Sequence, residues 1–169
     1  NFREDSVREL TKAFVQDDFP SFPRARITDL FFVTMTEYDA SFPCAVAFPP
    51  LTIRWPLAEV LSSAHLKQLH IAETEKYAHV TYFFNGGHEK LYDGEERVLV
   101  PSPHAASFHE HPEMAAEKIT DLILEAIPKY DFILVNYANG DMVGHTGDFE
   151  ATTQALEILD GCVAMIIPK

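Results

Sequence analysis

Asp141 and His145 stand four residues apart, a spacing that one helical turn converts into two side chains on one face. A carboxylate and an imidazole together suit a divalent ion such as Mn2+ or Zn2+, and suit Ca2+ or Mg2+ alone less well. The same pair also fits a capping Asp beside an ordinary surface His. Placement argues for the ion. The pair follows an apolar run over 130–135 (YDFILV), and Gly140, Gly144 and Gly147 flank it. Such a run predicts a strand buried on both faces, as in a parallel sheet covered by helices. Ligands bind at the carboxyl ends of such strands, and glycines there let the backbone approach an ion or phosphate closely.

Lys76 is a second candidate. It lies just past a strand-like run over 69–72, where Glu73, Thr74 and Glu75 open a helical pattern. A lysine near a helix N-terminus opposes the helix dipole, which suggests a use such as holding an anion beside the helix amides; simple exposure is the plain alternative. Arg3, just ahead of a predicted helix, can present a cation to a phosphate or stand as a solvated surface residue. His104, His109 and His111 crowd one loop, but their spacing matches no usual zinc pattern, and a solvated loop is the better reading.

The elements that must position these residues can be read from periodicity and punctuation. Helices are expected over 5–15, with Val7, Leu10, Phe14 and Val15 sharing a face and Asp5 placed to cap, and over 57–64. Further helices are expected from 73 onward through Tyr77, Val80, Phe83 and Phe84, over 112–127 with Pro112 in the first turn, and over 149–167. Strands are expected over 30–35, 69–72, 97–100 and 130–135, and Asn85-Gly86-Gly87-His88 marks a turn. Alternating strand and helix is an α/β layering. The stretch 41–50 holds three prolines and few charges, a stiff connector that predicts a domain boundary.

Composition bounds the function. With 169 residues the chain can form one domain or parts of two, and 47% hydrophobic residues with 13 Phe supply a core. A formal charge of −13 argues against nucleic acid and acidic membranes as partners, though a metal and a few local cations can still dominate one anion pocket. No apolar stretch approaches the ~20 residues of a membrane span. Cys44 and Cys162 match no Cys-x-x-Cys spacing and read as reduced thiols, and no basic-then-apolar leader opens the chain, so a cytoplasmic protein is expected.

The stretch NGDMVGHTG over 139–147 closely resembles a motif of the cofactor-independent phosphoglycerate mutases, members of the alkaline phosphatase superfamily. IAETEKYAHVTYFFNGG over 71–87 agrees independently, as do VPSP over 100–103, PEM over 112–114, NFR over 1–3 and VAFPP over 46–50. The resemblance implies an α/β fold: part of an alkaline-phosphatase-like parallel sheet with helices on its faces over 51–169, preceded by the end of a second, phosphate-transfer α/β domain over 1–42, with a hinge over 43–50. It implies interconversion of 3-phosphoglycerate and 2-phosphoglycerate through a phosphoserine, in glycolysis and gluconeogenesis, by a monomer using two Mn2+ or Mg2+ ions. By the same resemblance Asp141 and His145 ligate one ion, Lys76 is the active-site lysine that contacts substrate, and Arg3 contacts phosphate. Glu75 and His79 are expected as structural support.

Two departures stand out. The second phosphate-binding arginine of the family motif falls at Ser6, which offers a hydrogen bond but no charge and no bidentate fork. Lysine is common in the family where this chain has His104. The family's nucleophilic serine, one metal-binding Asp, an Asp-His pair and a further His have no counterpart here, and Ser102 sits in a Pro-Ser-Pro turn. The chain therefore reads as an internal fragment of a larger enzyme, with one incomplete metal site and negligible activity alone. The competing expectations are a non-catalytic metal- or phosphate-binding module, and another phosphomutase or a phosphatase of the superfamily.

Overall fold

A computed structural model describes residues 1–3, 5–51 and 53–168; the Asp5 side chain also lies outside the described residues, and with it the expected cap. The chain divides into two compact units, Asn1–Thr52 and Ile53–Lys169.

In the first unit α1 (Asp5–Val15) accompanies a two-stranded parallel ribbon, β1 (Val33–Thr34) and β2 (Ala45–Val46), with Val33 opposite Ala45 and Thr34 opposite Val46. The strand expected over 30–35 shortens to two residues because its partner is no longer than that. That partner comes from the stretch expected to be a stiff connector, with Pro43 and Pro49 outside the pairing. So small a ribbon covers little of α1. Leu10 and Phe14 stay exposed, contrary to the expected apolar face, while Thr11 is buried and its hydroxyl donates to the Val7 carbonyl at 2.7 Å. Phe14 gains a stacked partner in Phe32, with ring centroids 5.6 Å apart.

The second unit is built on a three-stranded parallel sheet, in the order β4 (Glu95–Val100), β3 (Gln68–Glu73), β5 (Phe132–Asn136). Pairing runs from Gln68↔Glu95 to Glu73↔Val100 on one side and from Gln68↔Phe132 to Ala72↔Asn136 on the other. All six residues of β3 are buried, as its central position requires. The five residues of β5 are only half-buried, because among the described residues it is an outer strand; both its faces are nevertheless covered, Phe132 stacking on Phe84 on one side and Ile133 and Val135 packing in the α3 cluster on the other.

Alternation along β3 sends Ile71 to one face, where it packs with Val100, Ala115, Ile119 and Ile123 under α3 (Ala116–Ala126). Burying one such isoleucine stabilises by about 1.5–3 kcal/mol. Gln68 and His70 point to the other face. There Gln68 Nε2 donates to the Ala58 carbonyl of α2 (Leu57–Ser63) at 2.8 Å, and the His70 ring meets Phe84 edge-on at 5.2 Å. Helices thus cover both faces, as an α/β sheet requires.

Two expected helices differ from observation. The one predicted from 73 onward is a 3-10 turn, Thr74–Lys76, followed by a π turn, His79–Phe83. The wider π turn buries Val80 and Thr81 and turns Phe83 outward. The helix predicted from Pro112 begins only at Ala116, because Met114 takes φ 43 and breaks the helical path. After β5 come α4 (Asn139–Gly144) and α5 (Phe149–Ile166), the latter capped by Asp148, whose carboxylate accepts from the Ala151 amide at 2.9 Å. Met114, Ala138, Val143, Ala151 and Ala155 form a second cluster that seats α4 against α5.

Candidate functional site

The chain leaves β3 toward the face of the π turn, and leaves β5 toward the opposite face, where α4 and α5 join α3. Neighbouring strands whose connections diverge open a crevice at their carboxyl ends. Lys76 enters it from the β3 side and Asp141 from the β5 side. The Lys76 ammonium donates to Asp141 Oδ2, and His145 Nε2 lies 3.3 Å from Asp141 Oδ1. One helical turn fixes the second pair, through the His145 amide donating to the Asp141 carbonyl at 3.0 Å. The Lys76 side chain is only 15% exposed, against 49% for Asp141 and 73% for His145. Its stem is sheltered and its charge emerges at the carboxylate.

The supports beneath are buried. Asn139 opens α4 with no exposed surface, and its Nδ2 donates to the carbonyls of Pro112 and Glu113 at 2.8 and 2.9 Å. The Ser102 amide donates to Thr74 Oγ1 at 3.2 Å, tying the exit of β4 to the turn that carries Lys76. Glu73, the last residue of β3, is wholly buried, and among the described residues no donor meets either carboxyl oxygen in good hydrogen-bond geometry. Burial pushes its carboxyl above the usual range; the Ser102 hydroxyl and the backbone at Ala115 and Ala138 face it and offset only part of that effect. Periodicity gave no hint of Glu73 as a site residue. The available signal was its position, an acid closing a strand-like run ahead of Lys76.

Asp141 and His145 supply an oxygen and a nitrogen on one side of the crevice, donors that fit a divalent ion. Among the described residues no third His, Cys, Asp or Glu joins them, so they fit an ion as part of a ligand set and not as a closed site. Other candidates lie elsewhere. Arg3 is exposed in the first unit, its amide donating to Asn1 Oδ1 at 3.0 Å. His109 Nδ1 lies 2.7 Å from Ser107 Oγ, and His111 Nδ1 lies 3.1 Å from Glu113 Oε1. Glu75 and His79 are exposed, and Cys44 and Cys162 are unpaired.

A parallel sheet with helices on both faces agrees with what family comparison finds. The model of the Metalloenzyme superfamily matches residues 48–169, and the chain belongs to that superfamily. The model of the BPG-independent PGAM N-terminus matches residues 1–40. Within the superfamily the chain is similar to 2,3-bisphosphoglycerate-independent phosphoglycerate mutases: 53% identical to that of Moorella thermoacetica over 99% of this chain and 33% of the relative. It is 53% identical to that of a Cyanothece species over 99% of this chain and 32% of the relative. Crystal structures of Leishmania mexicana phosphoglycerate mutase at low cobalt concentration include a chain that matches with TM-score 0.70 and 35% identity, over 95% of this chain and 30% of that one. This chain spans about a third of the length of these relatives. Among the described residues no helix is long and apolar enough to cross a membrane.

Proposed function

We propose that this chain forms part of the machinery that interconverts 3-phosphoglycerate and 2-phosphoglycerate through a phosphoserine. The meeting of Lys76, Asp141 and His145 at the ends of β3 and β5 carries the reading. In it Asp141 and His145 help hold one of two Mn2+ or Mg2+ ions, Lys76 binds the substrate phosphate, and Arg3 contacts phosphate from the first unit. A divalent ion bound there supplies positive charge that favours serine ionisation and neutralises phosphoryl oxygens. The chain's own residues bind and orient. Asp141 presents one oxygen beside the imidazole and the other to the ammonium. His145 must be unprotonated to ligate. Lys76, its stem sheltered, offers its charge to a phosphate oxygen and steadies the oxygen that departs.

Two ligands are too few for two ions, and no serine here stands in the family's nucleophile context, so the chain alone turns over negligible substrate. In this reading it acts in the cytoplasm as part of a monomer. In this reading the hinge lies over 43–50, a stretch that also contains β2.

Calorimetric titration of the chain with Mn2+ tests the assignment. Asp141→Ala and His145→Ala are each expected to weaken binding by at least about tenfold. Equal Mn2+ affinity in all three proteins would remove both residues from the metal site.

A further inference from the structure

We propose that Glu73 is a positioning residue for this site, a buried strut that holds the turn carrying Lys76 and the helix carrying Asp141 in fixed relation. The inference rests on the reading that these two residues form the site.

Glu73 ends the central strand and pairs in register with Val100, the last residue of β4. The next residue enters the 3-10 turn that ends at Lys76. Its side chain faces Ser102, two residues past the end of β4, and Ala138, two residues past the end of β5, as well as Ala115 ahead of α3. One carboxyl therefore sits among the exits of all three strands. Ala138 directly precedes α4, so a shift at the carboxyl is passed to Asp141 through less than one helical turn.

A carboxyl is a poor choice for a core. Leaving a buried polar group without a partner costs about 1–3 kcal/mol, and an apolar residue of similar volume avoids that cost. Among the described residues neither Glu73 oxygen nor the Ser102 hydroxyl beside it has a partner at good bonding geometry, although that hydroxyl and the backbone at Ala115 and Ala138 face the carboxyl. Burial drives Glu73 toward its neutral form, and the nearby Glu75 acts in the same direction. A neutral carboxyl offers one O–H donor and an acceptor, so it can engage a hydroxyl and a backbone amide together. Glutamine has the same length and the same dual character. Alanine has neither.

Backbone hydrogen exchange of this chain, without metal, tests the role in Glu73→Ala, Glu73→Gln and Glu73→Asp. The amides of 74–77 and 139–145 report the two site segments, and those of 68–70 and 132–134 serve as controls. Alanine is expected to speed exchange about tenfold in both site segments relative to the controls, while glutamine leaves the ratio of site to control exchange within about twofold of wild type. A uniform rise that includes the controls, no rise in the site segments, or equal disruption by glutamine would overturn the proposal. If the alanine variant does not fold, the other two decide: selective loosening by aspartate, one methylene shorter, with retention by glutamine supports the strut, and equal behaviour of the two sinks it. Failure of the metal assignment appears separately, as Mn2+ affinity indifferent to Asp141→Ala, and leaves the exchange result standing.

Discussion

The three-stranded sheet buries one glutamate at each end, and the two are treated in opposite ways. At the amino end, Glu95 accepts from Asn85 Nδ2 at 3.1 and 3.0 Å, from the Tyr92 amide at 2.9 Å and from Arg97 Nε at 2.6 Å. The Arg97 fork also donates to the carbonyls of Glu89 and Lys90, and His70 Nδ1 lies 3.5 Å from Glu95 Oε1. At the carboxyl end Glu73 is equally buried but faces only the Ser102 hydroxyl and the backbone at Ala115 and Ala138, and among the described residues neither its oxygens nor Asn139 Oδ1 and Ser102 Oγ have a partner at good bonding geometry. The bonds to Glu95 hold the loop over 85–94 in place. The carboxyl end keeps bonding capacity in reserve beneath the crevice where Lys76 meets Asp141. The two carboxyls thus differ in their partners within one sheet, although Asn85 Oδ1 and His70 Nδ1 at the amino end are unpaired as well.

Glu95→Ala should produce the largest effect, because it leaves Arg97, only 11% exposed, without its counter-charge: a loss of about 3–5 kcal/mol in urea unfolding. A loss as small as that of an exposed pair would break the contrast between the two ends. Next is Gly94→Ala, just ahead of β4, where φ is 80 and an added Cβ would stand 2.8 Å from the Leu66 carbonyl oxygen. That substitution should cost about 1–3 kcal/mol by the same measurement.

Acidity separates the ends by sign. Burial holds the His70 imidazole below its ordinary 6.5, so its contribution is fully present above 6.5 and is lost as pH falls. Burial holds Glu73 above its ordinary 4.5, so its contribution is present below 4.5 and is lost as pH rises through the folded value. Glu73→Gln should remove the second slope, gaining on the order of 1 kcal/mol over wild type at pH 7 and less near pH 4.5, read from urea midpoints across that range. An advantage that shrinks with rising pH would contradict the neutral, buried carboxyl. The smallest stability effect is expected for Asp141→Ala, under about 1 kcal/mol, because its side chain is half exposed. Its consequence should appear in the Mn2+ titration instead.

Legibility in the sequence followed the same division. The closeness of Asp141 and His145 could be read because their spacing and the apolar run before them are local signals, and the resemblance around Lys76 rests on contiguous residues. The α/β class and the helices over 57–63 and 149–166 were equally local. What escaped depended on partners distant in the chain. Gln68, His70 and Glu73 look like ordinary polar residues until β4 and β5 close on either side of them. The apolar stretch over 130–135 reads as a strand covered on both faces, but its outer position among the described strands leaves it half-buried, and that depends on strand order. The late start of α3 turns on the backbone angle of Met114, which no periodicity records.

The π turn over His79–Phe83 makes the stretch after Lys76 unusually sensitive to chain length. It accommodates a residue that an α-helical turn would not, so deleting one residue there need not open a gap; the turn can rewind as ordinary helix. With β3 held in the sheet, rewinding would rotate the short segment between the strand and the turn by about 100°, the angle of one helical residue. A one-residue deletion would thus act less as a truncation than as a twist of the wrist, re-aiming the lysine while leaving the sheet beneath it whole.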